Sequence, residues 1–349
     1  MTTIEAEEYS LNQEIVQFFL KTSAVRSECD ALAVSLVGGV ATPVAVQGVC
    51  SYTVYAGPSD EFVVQFRLKS LQLPLETAAL AKTIFGEFAP DVAFKGQIGD
   101  DSGTDGKEPL YVYVMTRMRG ISQLDFILAH SEPENSPEWF QWRNNFITDL
   151  ARFFARAWKS PQTVDAESRD KLRVSYEKDM GLLLASLPER FRPVIQQTID
   201  SIPAILNLPM VLLHKDFGSC NIIVDSASCH LVGVIDWAEA QVGPFGLNLY
   251  SLQSFMSKLH LRNGWIRYKD YDSLQSAFWA KLQTEVPDMT DEQIETAKAA
   301  RILGQLLSRG FTSRLANMPE PVPIKDDKSG AYNMMILDGL LVNPVTRIV

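Results

Sequence analysis

The first part of the chain combines one helical pattern with a strand pattern. Ile15, Phe18 and Phe19 follow a polar segment and form the apolar stripe of a short amphipathic helix. Two runs rich in β-branched and aromatic residues lie within residues 44–70 and flank the turn-forming sequence Gly-Pro-Ser-Asp at residues 57–60. This arrangement predicts a β-hairpin.

Three further segments complete the N-terminal pattern. Residues 75–90 predict a helix that ends near its Gly and Pro residues, and residues 110–118 predict a second strand after a polar loop at 99–108. The apolar run at residues 32–46 is interrupted by Ser, Gly and Pro, and it is shorter than the roughly 20 residues of a membrane-spanning helix. We therefore predict that this run is a core strand.

The pattern becomes mainly helical after residue 120. Ser136 and Pro137 have the N-cap and first-turn residue types of a long apolar helix. Thr290 and Gln293 have the spacing of a capping box at the start of another helix.

Only three short strands are predicted in this part, at residues 211–213, 222–224 and 231–237. The sequence thus predicts an α+β fold with two lobes. The N-terminal lobe, residues 1–118, is small and β-rich, and the C-terminal lobe, residues 119–349, is larger and mainly helical.

Composition narrows the classes of function. The 349 residues carry a formal net charge of −10 with scattered Lys and Arg residues, which argues against nucleic acid as a partner and mildly favours a cationic small molecule. The four cysteines form no CxxC pair, and the chain starts with an acidic segment rather than the apolar core of a secretory signal. A cytoplasmic protein with no membrane partner is the expectation.

Residues 211–225, VLLHKDFGSCNIIVD, interrupt a strand-like pattern with ionisable and polar residues. Asp216 precedes Asn221 by five positions, so a tight loop can present both side chains to one cavity, and a later strand ends at Asp236. Hard oxygen ligands of this kind suit Mg²⁺. A proton-accepting carboxylate beside a metal-holding amide and carboxylate is what phosphoryl transfer requires.

Two other interpretations of this segment stay open. An Asp and an Asn in a turn are frequently no more than turn formers. His214, Cys220, Cys229 and His230 could instead hold zinc, although their spacing matches no usual zinc frame. No P-loop sequence and no G-x-G-x-x-G at a strand–helix junction is present.

The order H-x-D-x-x-x-x-N followed by I-D-W resembles the aminoglycoside phosphotransferase and choline kinase branch of the protein-kinase-like fold. The segment GVIDWAEAQVGPFGLNLYSL is most similar to fungal members known only by the family name, and the similarity extends over residues 48–278. The resemblance implies that Asp216 is the catalytic base or orients the hydroxyl. It also implies that Asn221 and Asp236 bind Mg²⁺ and that His214 braces the loop.

The same resemblance assigns nucleotide contacts in the N-terminal lobe. Gly48 and Ser51 would belong to the loop that covers the nucleotide. Arg67 stands where the family usually has Lys; it keeps the positive charge with a different shape. Glu76 matches the acid that normally pairs with that cation, or it is an exposed helix residue.

The resemblance also reaches the connector between the lobes, at residues 115–120. Backbone groups of Thr116 and Met118 would contact the adenine edge. Asn248 stands where many relatives have a further Asp. Glu239 either supplies a compensating negative charge or faces solvent, and we expect it to face solvent.

These expectations define a kinase that uses ATP and Mg²⁺ and phosphorylates a hydroxyl, or less readily an amine, of a small molecule. The sequence leaves two alternatives open. One is an enzyme of the same fold that uses transient phosphorylation, or no ATP, for elimination or cyclisation; the other is a non-catalytic nucleotide-binding module. The acceptor and the oligomeric state have no signature in the sequence.

Overall fold

The computed structural model describes residues 9–101, 106–312 and 320–348. The chain divides into two compact units. Unit 1 comprises Met1–Lys82 and Pro90–Met118, and unit 2 comprises Thr83–Ala89 and Arg119–Val349. The first unit combines a five-stranded sheet with helices and the second is mainly helical, so the predicted α+β class is confirmed.

Unit 1 is built on a five-stranded sheet in the order β1-β2-β3-β5-β4, in which all neighbours are antiparallel. Two helices precede the sheet, and a third lies between its third and fourth strands. The elements are α1 (Leu11–Phe19), α2 (Arg26–Val37), β1 (Thr42–Pro43), β2 (Ser51–Ala56), β3 (Phe62–Leu68), α3 (Leu75–Phe85), β4 (Val92–Ile98) and β5 (Leu110–Thr116). The last three residues of α3, including Phe85, belong to unit 2.

The predicted hairpin of unit 1 is confirmed. Strands β2 and β3 pair with Ser51 opposite Arg67, and the amide of Asp60 closes the turn by donating to the carbonyl of Gly57 at 3.1 Å. Helix α1 buries Ile15 and Phe18 against this sheet, as its apolar stripe predicts.

The core strand predicted at residues 32–46 is wrong. Its first part belongs to helix α2, which buries Cys29 and Ala33, one helical turn apart. The helix ends at Gly38, whose φ of 79° lies in the region that favours glycine, and only Thr42–Pro43 joins the sheet. Within this run α2 buries Ala33 but leaves Val34 exposed, and one small buried residue gives no helical stripe to detect.

Strand β4 had no counterpart in the sequence prediction. It is an edge strand, most of its side chains are exposed or half-buried, and its register shifts between Phe94 and Gly96. An exposed, bulged edge strand has no clear apolar alternation to detect. Residues 102–105 of the predicted loop after it lie outside the described part of the chain.

Unit 2 contains eight helices of the α type within its described residues, and its strands form three small antiparallel sheets. The elements are β6 (Ile121–Ser122), α4 (Gln123–Ala129), α5 (Pro137–Lys159), α6 (Ala166–Ser186), α7 (Arg192–Ile205), β7 (Met210–Leu213), β8 (Ile222–Val224), β9 (Leu231–Val234), β10 (Gln241–Pro244), α8 (Leu252–Met256), β11 (Ser257–His260), β12 (Gly264–Arg267), α9 (Tyr271–Glu285), α10 (Asp291–Arg309), α11 (Ala331–Leu337) and a π-helix (Asp338–Val342).

Both predicted helix starts in unit 2 are confirmed. Ser136 caps α5 with Pro137 in its first turn, and Thr290 and Gln293 form a complete capping box on α10. The expectation of only three strands was wrong, because β6, β10, β11 and β12 are also present. Strand β7 pairs with β10 and strand β8 pairs with β6 and β9, so the two strands that flank the polar segment belong to different sheets.

An aromatic cluster lies beneath that polar segment. Phe153 of α5 stacks on Phe85 at 4.2 Å and on Phe217 at 5.5 Å between ring centroids, and Trp237 stacks on Phe85 at 4.9 Å. All four side chains are buried. Because truncation of a buried Phe typically costs about 3–5 kcal/mol, this cluster gives the segment a stable base.

None of the described helices is both long enough and apolar enough to cross a membrane.

Candidate active site

The polar segment of unit 2 leaves β7 at Leu213 and returns to β8 at Ile222. Phe217 points into the aromatic cluster, whereas Lys215 and Asp216 are exposed. We call residues 214–221 the catalytic loop, after the role that the sequence resemblance predicts for them. One apolar anchor in the middle of the loop fixes its path and leaves its charged residues at the surface.

Asp216 and Asn221, which the sequence predicts to act together, are in direct contact. Asn221 Nδ2 donates to Asp216 Oδ2 and to the Asp216 carbonyl, each at 2.9 Å. The backbone amide of Asn221 also donates to the carbonyl of Gly218 at 2.9 Å and tightens the turn. Within the described residues, no hydrogen bond uses Asn221 Oδ1 or Asp216 Oδ1, so one oxygen of each side chain stays open.

Asp236 follows β9 and is exposed. The amide of the preceding Ile235 donates to the Asn221 carbonyl at 2.9 Å, which ties the end of this strand to the catalytic loop. Asp236 has φ 62° and ψ 64°, a left-handed conformation that Asp adopts more readily than most residues. This turn breaks the strand and leads into Trp237, which is anchored in the aromatic cluster.

His214 joins the two arms of the site. Its side chain is buried, and its Nε2 donates to the carbonyl of Ile235 at 2.8 Å. Burial lowers the pKa of His214, against the opposing attraction of Asp236 and Asp216. The residue thus has the bracing position expected from the sequence.

Asn248 supports His214 from the far side. It is buried, and its Nδ2 donates to the His214 carbonyl at 2.6 Å. Tyr250 Oη donates to the Lys215 carbonyl at 3.2 Å. The sequence indicated Asn248 only as a departure from the family and did not indicate Tyr250. Each of these residues is more than 30 positions from the loop residue that it contacts, so no local pattern reveals the contact.

The donor set suits a hard cation. Two carboxylates and one amide provide oxygen donors, and Mg²⁺ usually takes few protein ligands and completes its shell with water and phosphate. No group of three or more His, Cys, Asp or Glu side chains that could hold a metal is found in the described residues. The candidate donor set therefore includes the amide oxygen of Asn221 beside the carboxylates of Asp216 and Asp236.

The zinc interpretation has no support from the structure. Burial raises the pKa of the Cys229 thiol to about 12 and also raises that of Cys220, and the described residues contain no group of three or more His, Cys, Asp or Glu side chains that could hold a metal. His230 Nδ1 lies 2.7 Å from Asp149 Oδ2. Glu239 is exposed, as expected.

Gly48 and Ser51 lie before and at the start of β2. Gly48 does not have a positive φ, and an added Cβ would only touch Ser51 Oγ at 3.7 Å. Ser51 is buried, and its hydroxyl lies 3.4 Å from that of Thr53. Gln47, which the sequence did not single out, organises this loop, since its side chain pairs with both the amide and the carbonyl of Thr53 at 2.8 and 2.9 Å.

Arg67 and Glu76 do not form the predicted pair. Arg67 is buried on β3, and its Nε donates to the carbonyl of Leu71, whereas Glu76 is exposed in the first turn of α3. Within the described residues, no ion pair joins them. The Nη atoms of Arg67 are used by no hydrogen bond in that part of the chain, so they remain open to an anion.

Thr116 and Met118 differ in whether their backbone hydrogen-bonding groups are already used. The amide of Thr116 donates to the Asp91 carbonyl at 3.1 Å and is therefore occupied. Met118 lies past the end of β5, and among the described residues no backbone hydrogen bond uses its N–H or C=O. Met118 is the better candidate for contact with a nucleobase.

The oxygen-donor centre of unit 2 is of the kind that phosphoryl transfer requires. Residues 89–275, more than half of the chain, match the model of the phosphotransferase enzyme family, and the chain belongs to that family. The family resemblance inferred from the loop motifs is thereby confirmed.

Several solved structures are similar to the chain. The gentamicin complex of APH(2")-IIa is 15% identical, covers 81% of this chain and 88% of its own, and has a TM-score of 0.47. Glucosamine kinase in complex with glucosamine, ADP and inorganic phosphate is 14% identical, with 77% and 70% coverage and a TM-score of 0.49. APH(3'')-Id from Streptomyces rimosus is 13% identical, with 75% and 91% coverage and a TM-score of 0.41. No curated protein matches the chain in sequence.

Proposed function

We propose that the protein is an ATP- and Mg²⁺-dependent kinase that transfers the γ-phosphoryl group to a hydroxyl of a small molecule. The observation that carries this proposal is the contact between Asn221 Nδ2 and Asp216 Oδ2 at 2.9 Å. It holds two oxygen-bearing side chains together and leaves one oxygen of each open. Asp236 adds an exposed carboxylate on a strand end that is bonded to the same loop.

Asp216 is the base in this proposal. Its Oδ1, which Asn221 leaves open, orients the acceptor hydroxyl and accepts its proton during attack on the phosphoryl group. A hydroxyl is preferred over an amine as acceptor because a protonated amine has no free lone pair for attack.

Asn221 Oδ1 and the Asp236 carboxylate would hold Mg²⁺, whose chemistry is to neutralise charge on the transferred phosphoryl group. The contact with Asp216 turns the Asn221 amide so that its nitrogen faces the base and its oxygen faces away. His214 and Asn248 fix the loop against the strand that carries Asp236.

The nucleotide contacts proposed in unit 1 differ in their support. The open Nη atoms of Arg67 and the open backbone of Met118 suit a phosphate and a nucleobase edge, respectively. The assignments of Gly48, Ser51 and Glu76 rest on their positions in the sequence alone.

The test is a turnover assay of purified protein with ATP, Mg²⁺ and a panel of hydroxylated metabolites. We expect ADP to form in an acceptor-dependent manner, together with a phosphate ester that ³¹P NMR identifies. Removal of Mg²⁺ with EDTA should abolish both signals, and their persistence would contradict the role of Asn221 and Asp236. ADP release without any phosphorylated product would contradict simple phosphoryl transfer.

Arg67 motivates a second candidate, since it replaces the usual Lys and has no ion pair with Glu76 within the described residues. In this candidate, phosphorylation of a hydroxyl is transient, and elimination or cyclisation of the substrate follows. The same assay separates the two, because the second candidate yields ADP, inorganic phosphate and a dehydrated product in equal amounts.

A further inference from the structure

A cavity of unit 2 lies away from the catalytic loop. Its volume is about 670 Å³, within the range of small-molecule sites. Strand β12, helix α11, the π-helix and the segment before α11 line it, and none of its lining residues belongs to the catalytic loop or to Asp236. A ligand in this cavity would therefore contact none of the groups proposed for phosphoryl transfer in unit 2.

The charged groups around the cavity balance one another. Arg190 binds Asp338 through two nitrogens, at 2.5 and 2.8 Å, and Asp326 through a third at 3.1 Å. Asp327 accepts from the Ser329 amide at 2.8 Å and from its hydroxyl at 2.6 Å; these bonds lower the pKa of Asp327, and a neighbouring cation adds to the effect. The set consists of the carboxylates of Asp326, Asp327 and Asp338 and the cations of Arg190, Lys325 and Lys328. With three charges of each sign, the wall favours neither a cationic nor an anionic ligand.

The rest of the wall is apolar and adaptable. Trp265 contributes an indole ring, and Met334 and Met335 contribute flexible thioethers that can pack against ligands of different shape. Ala331 of α11 and Val342 of the π-helix add aliphatic surface. The cavity can therefore receive the apolar body of a small ligand.

One polar group in this wall lacks a partner. Trp265 is only 8% exposed, and its indole Nε1 is buried without a hydrogen-bond partner in the described residues. An indole N–H can only donate. A buried donor without a partner normally carries a cost, and an acceptor atom on a ligand would remove it. The partner that this group needs is therefore an acceptor.

The indole edge that carries Nε1 faces Gly339, which also lines the cavity. An added Cβ at Gly339 would lie 2.0 Å from the indole Cδ1 and 3.1 Å from Nε1, so glycine leaves this edge without a covering side chain. Gly339 belongs to the π-helix Asp338–Val342, a rare element that occurs frequently at functional sites. The donor of Trp265 thus lies at the cavity wall, beside a position that has no side chain.

We propose that this cavity binds a small uncharged ligand that has an apolar body and one hydrogen-bond acceptor, such as an aryl ketone. The indole and the methionines receive the apolar body, and Trp265 Nε1 donates to the carbonyl oxygen. The inference concerns a site other than the proposed phosphoryl-transfer centre, so it can hold or fail independently of the proposed function.

The indole N–H resonances of the ¹⁵N-labelled full chain, without nucleotide, test the proposal. The resonance of Trp265 is the one that is lost in Trp265→Phe. Titration with acetophenone should move it saturably to lower field, as expected for a new hydrogen bond to the carbonyl oxygen. α-Methylstyrene has the same shape with CH₂ in place of that oxygen. It should bind about tenfold more weakly by ligand-observed NMR and should cause no such downfield shift.

Two substitutions separate the donor from the cavity as a whole. Trp265→Phe keeps an aromatic wall without the N–H, so acetophenone should bind it about tenfold more weakly and no better than α-methylstyrene does. Ala331→Trp fills the exposed mouth of the cavity and should weaken the binding of both compounds about tenfold or more.

A matched variant controls for indirect effects. Tyr332→Trp adds the same ring at the next exposed position of α11, which does not line the cavity, and it should not change binding. The proposal is overturned if acetophenone shows no saturable binding up to about 10 mM or if α-methylstyrene binds equally well. It is also overturned if Ala331→Trp leaves the affinity unchanged in a protein with native circular dichroism.

Discussion

The catalytic loop of unit 2 leaves one side-chain oxygen of Asp216 and one of Asn221 open, whereas polar side chains beside β2 of unit 1 bond to their own neighbours. In the loop, His214 and Asn248 make the supporting bonds, and Asp216 and Asn221 each keep a free oxygen. In unit 1, the side chain of Gln47 is hydrogen-bonded to the backbone of Thr53, and the side chain of Ser51 is buried.

This difference shows when a residue of the expected type at a motif position can be taken as a candidate binding residue. A side chain is a candidate for binding when other residues do the structural work around it and an atom of its own remains open. By this criterion Asp216, Asn221 and Asp236 are strong candidates, the Nη atoms of Arg67 and the backbone of Met118 are intermediate, and Gly48, Ser51 and Glu76 are weak.

The largest effect is expected at the catalytic loop. Asp216→Asn still accepts the bond from Asn221 Nδ2 through its own amide oxygen, but it cannot take a proton. Turnover should fall by about 10²–10⁴-fold, with nucleotide affinity nearly unchanged. Steady-state kinetics and calorimetry check this, with the exposed Glu239→Gln as a control that should keep full turnover. Normal turnover of Asp216→Asn would contradict the catalytic role proposed for this loop.

The next largest effect is expected at Asn248, which supports the catalytic loop, and it should be a loss of stability. Asn248→Ala leaves the buried carbonyl of His214 without its donor, which should lower the free energy of unfolding by about 1–3 kcal/mol. Urea denaturation measures this, and Asn263→Ala at an exposed position should change it little. Turnover should fall in the Asn248 variant as well; an active but destabilised variant would mean that the loop holds its shape without this bond.

The same support should depend on pH. Burial lowers the pKa of His214 in the folded state below its unfolded value of about 6.5. As pH falls below that value the unfolded chain binds a proton that the folded chain does not, so stability is lost at up to about 1.4 kcal/mol per pH unit. Above pH 6.5 this contribution is fully present.

Urea midpoints at several pH values between 5 and 7.5 check this dependence. His214→Gln should be less stable at neutral pH and should flatten the slope below pH 6.5, whereas the exposed His260→Gln should retain it. An unchanged slope in the His214 variant would mean that other groups cause the acid destabilisation.

An intermediate effect is expected at Arg67 in unit 1. Arg67→Met removes the open Nη donors, so the KM for ATP should rise about tenfold, as expected for the loss of a charge-assisted hydrogen bond. Glu76→Gln should change it by less than about twofold, because Glu76 makes no ion pair with Arg67 in the described structure. Equal effects of the two variants would restore the pair that the sequence predicted.

Much of the candidate site in unit 2 was predictable because its residues are close in sequence. Asp216 and Asn221 lie within one loop and are in contact, and Asp236 follows the second strand after it, on a strand end that is bonded to the same loop. The contacts that support them were not predictable: Asn248 reaches His214 across 34 positions, and Gln47 looks like any other loop glutamine until its bonds to Thr53 are seen.

The fold shows the same limit. Long amphipathic helices such as α5 and α10 and the β2–β3 hairpin carry their own periodicity and caps, and their prediction was correct. Helix α2 was missed because its buried residues are small, and β4 because an edge strand buries little. Tertiary packing rather than local pattern decides such segments.

The smallest effect is expected at the connector, where backbone rather than side-chain atoms are open. Met118→Ala keeps the free N–H and C=O, so the KM for ATP should change by less than about twofold. Thr116→Val removes the hydroxyl that accepts from the Asp91 amide at 2.9 Å, and it should lower stability by about 0.5–1.5 kcal/mol without changing that KM. Both substitutions change a side chain and keep the backbone groups. Parallel measurements of the KM for ATP therefore separate the side-chain contribution from the backbone contribution. An increase of tenfold or more in Met118→Ala would show that the nucleobase is bound by the side chain, and the openness of backbone atoms would then be a poor guide to binding in unit 1.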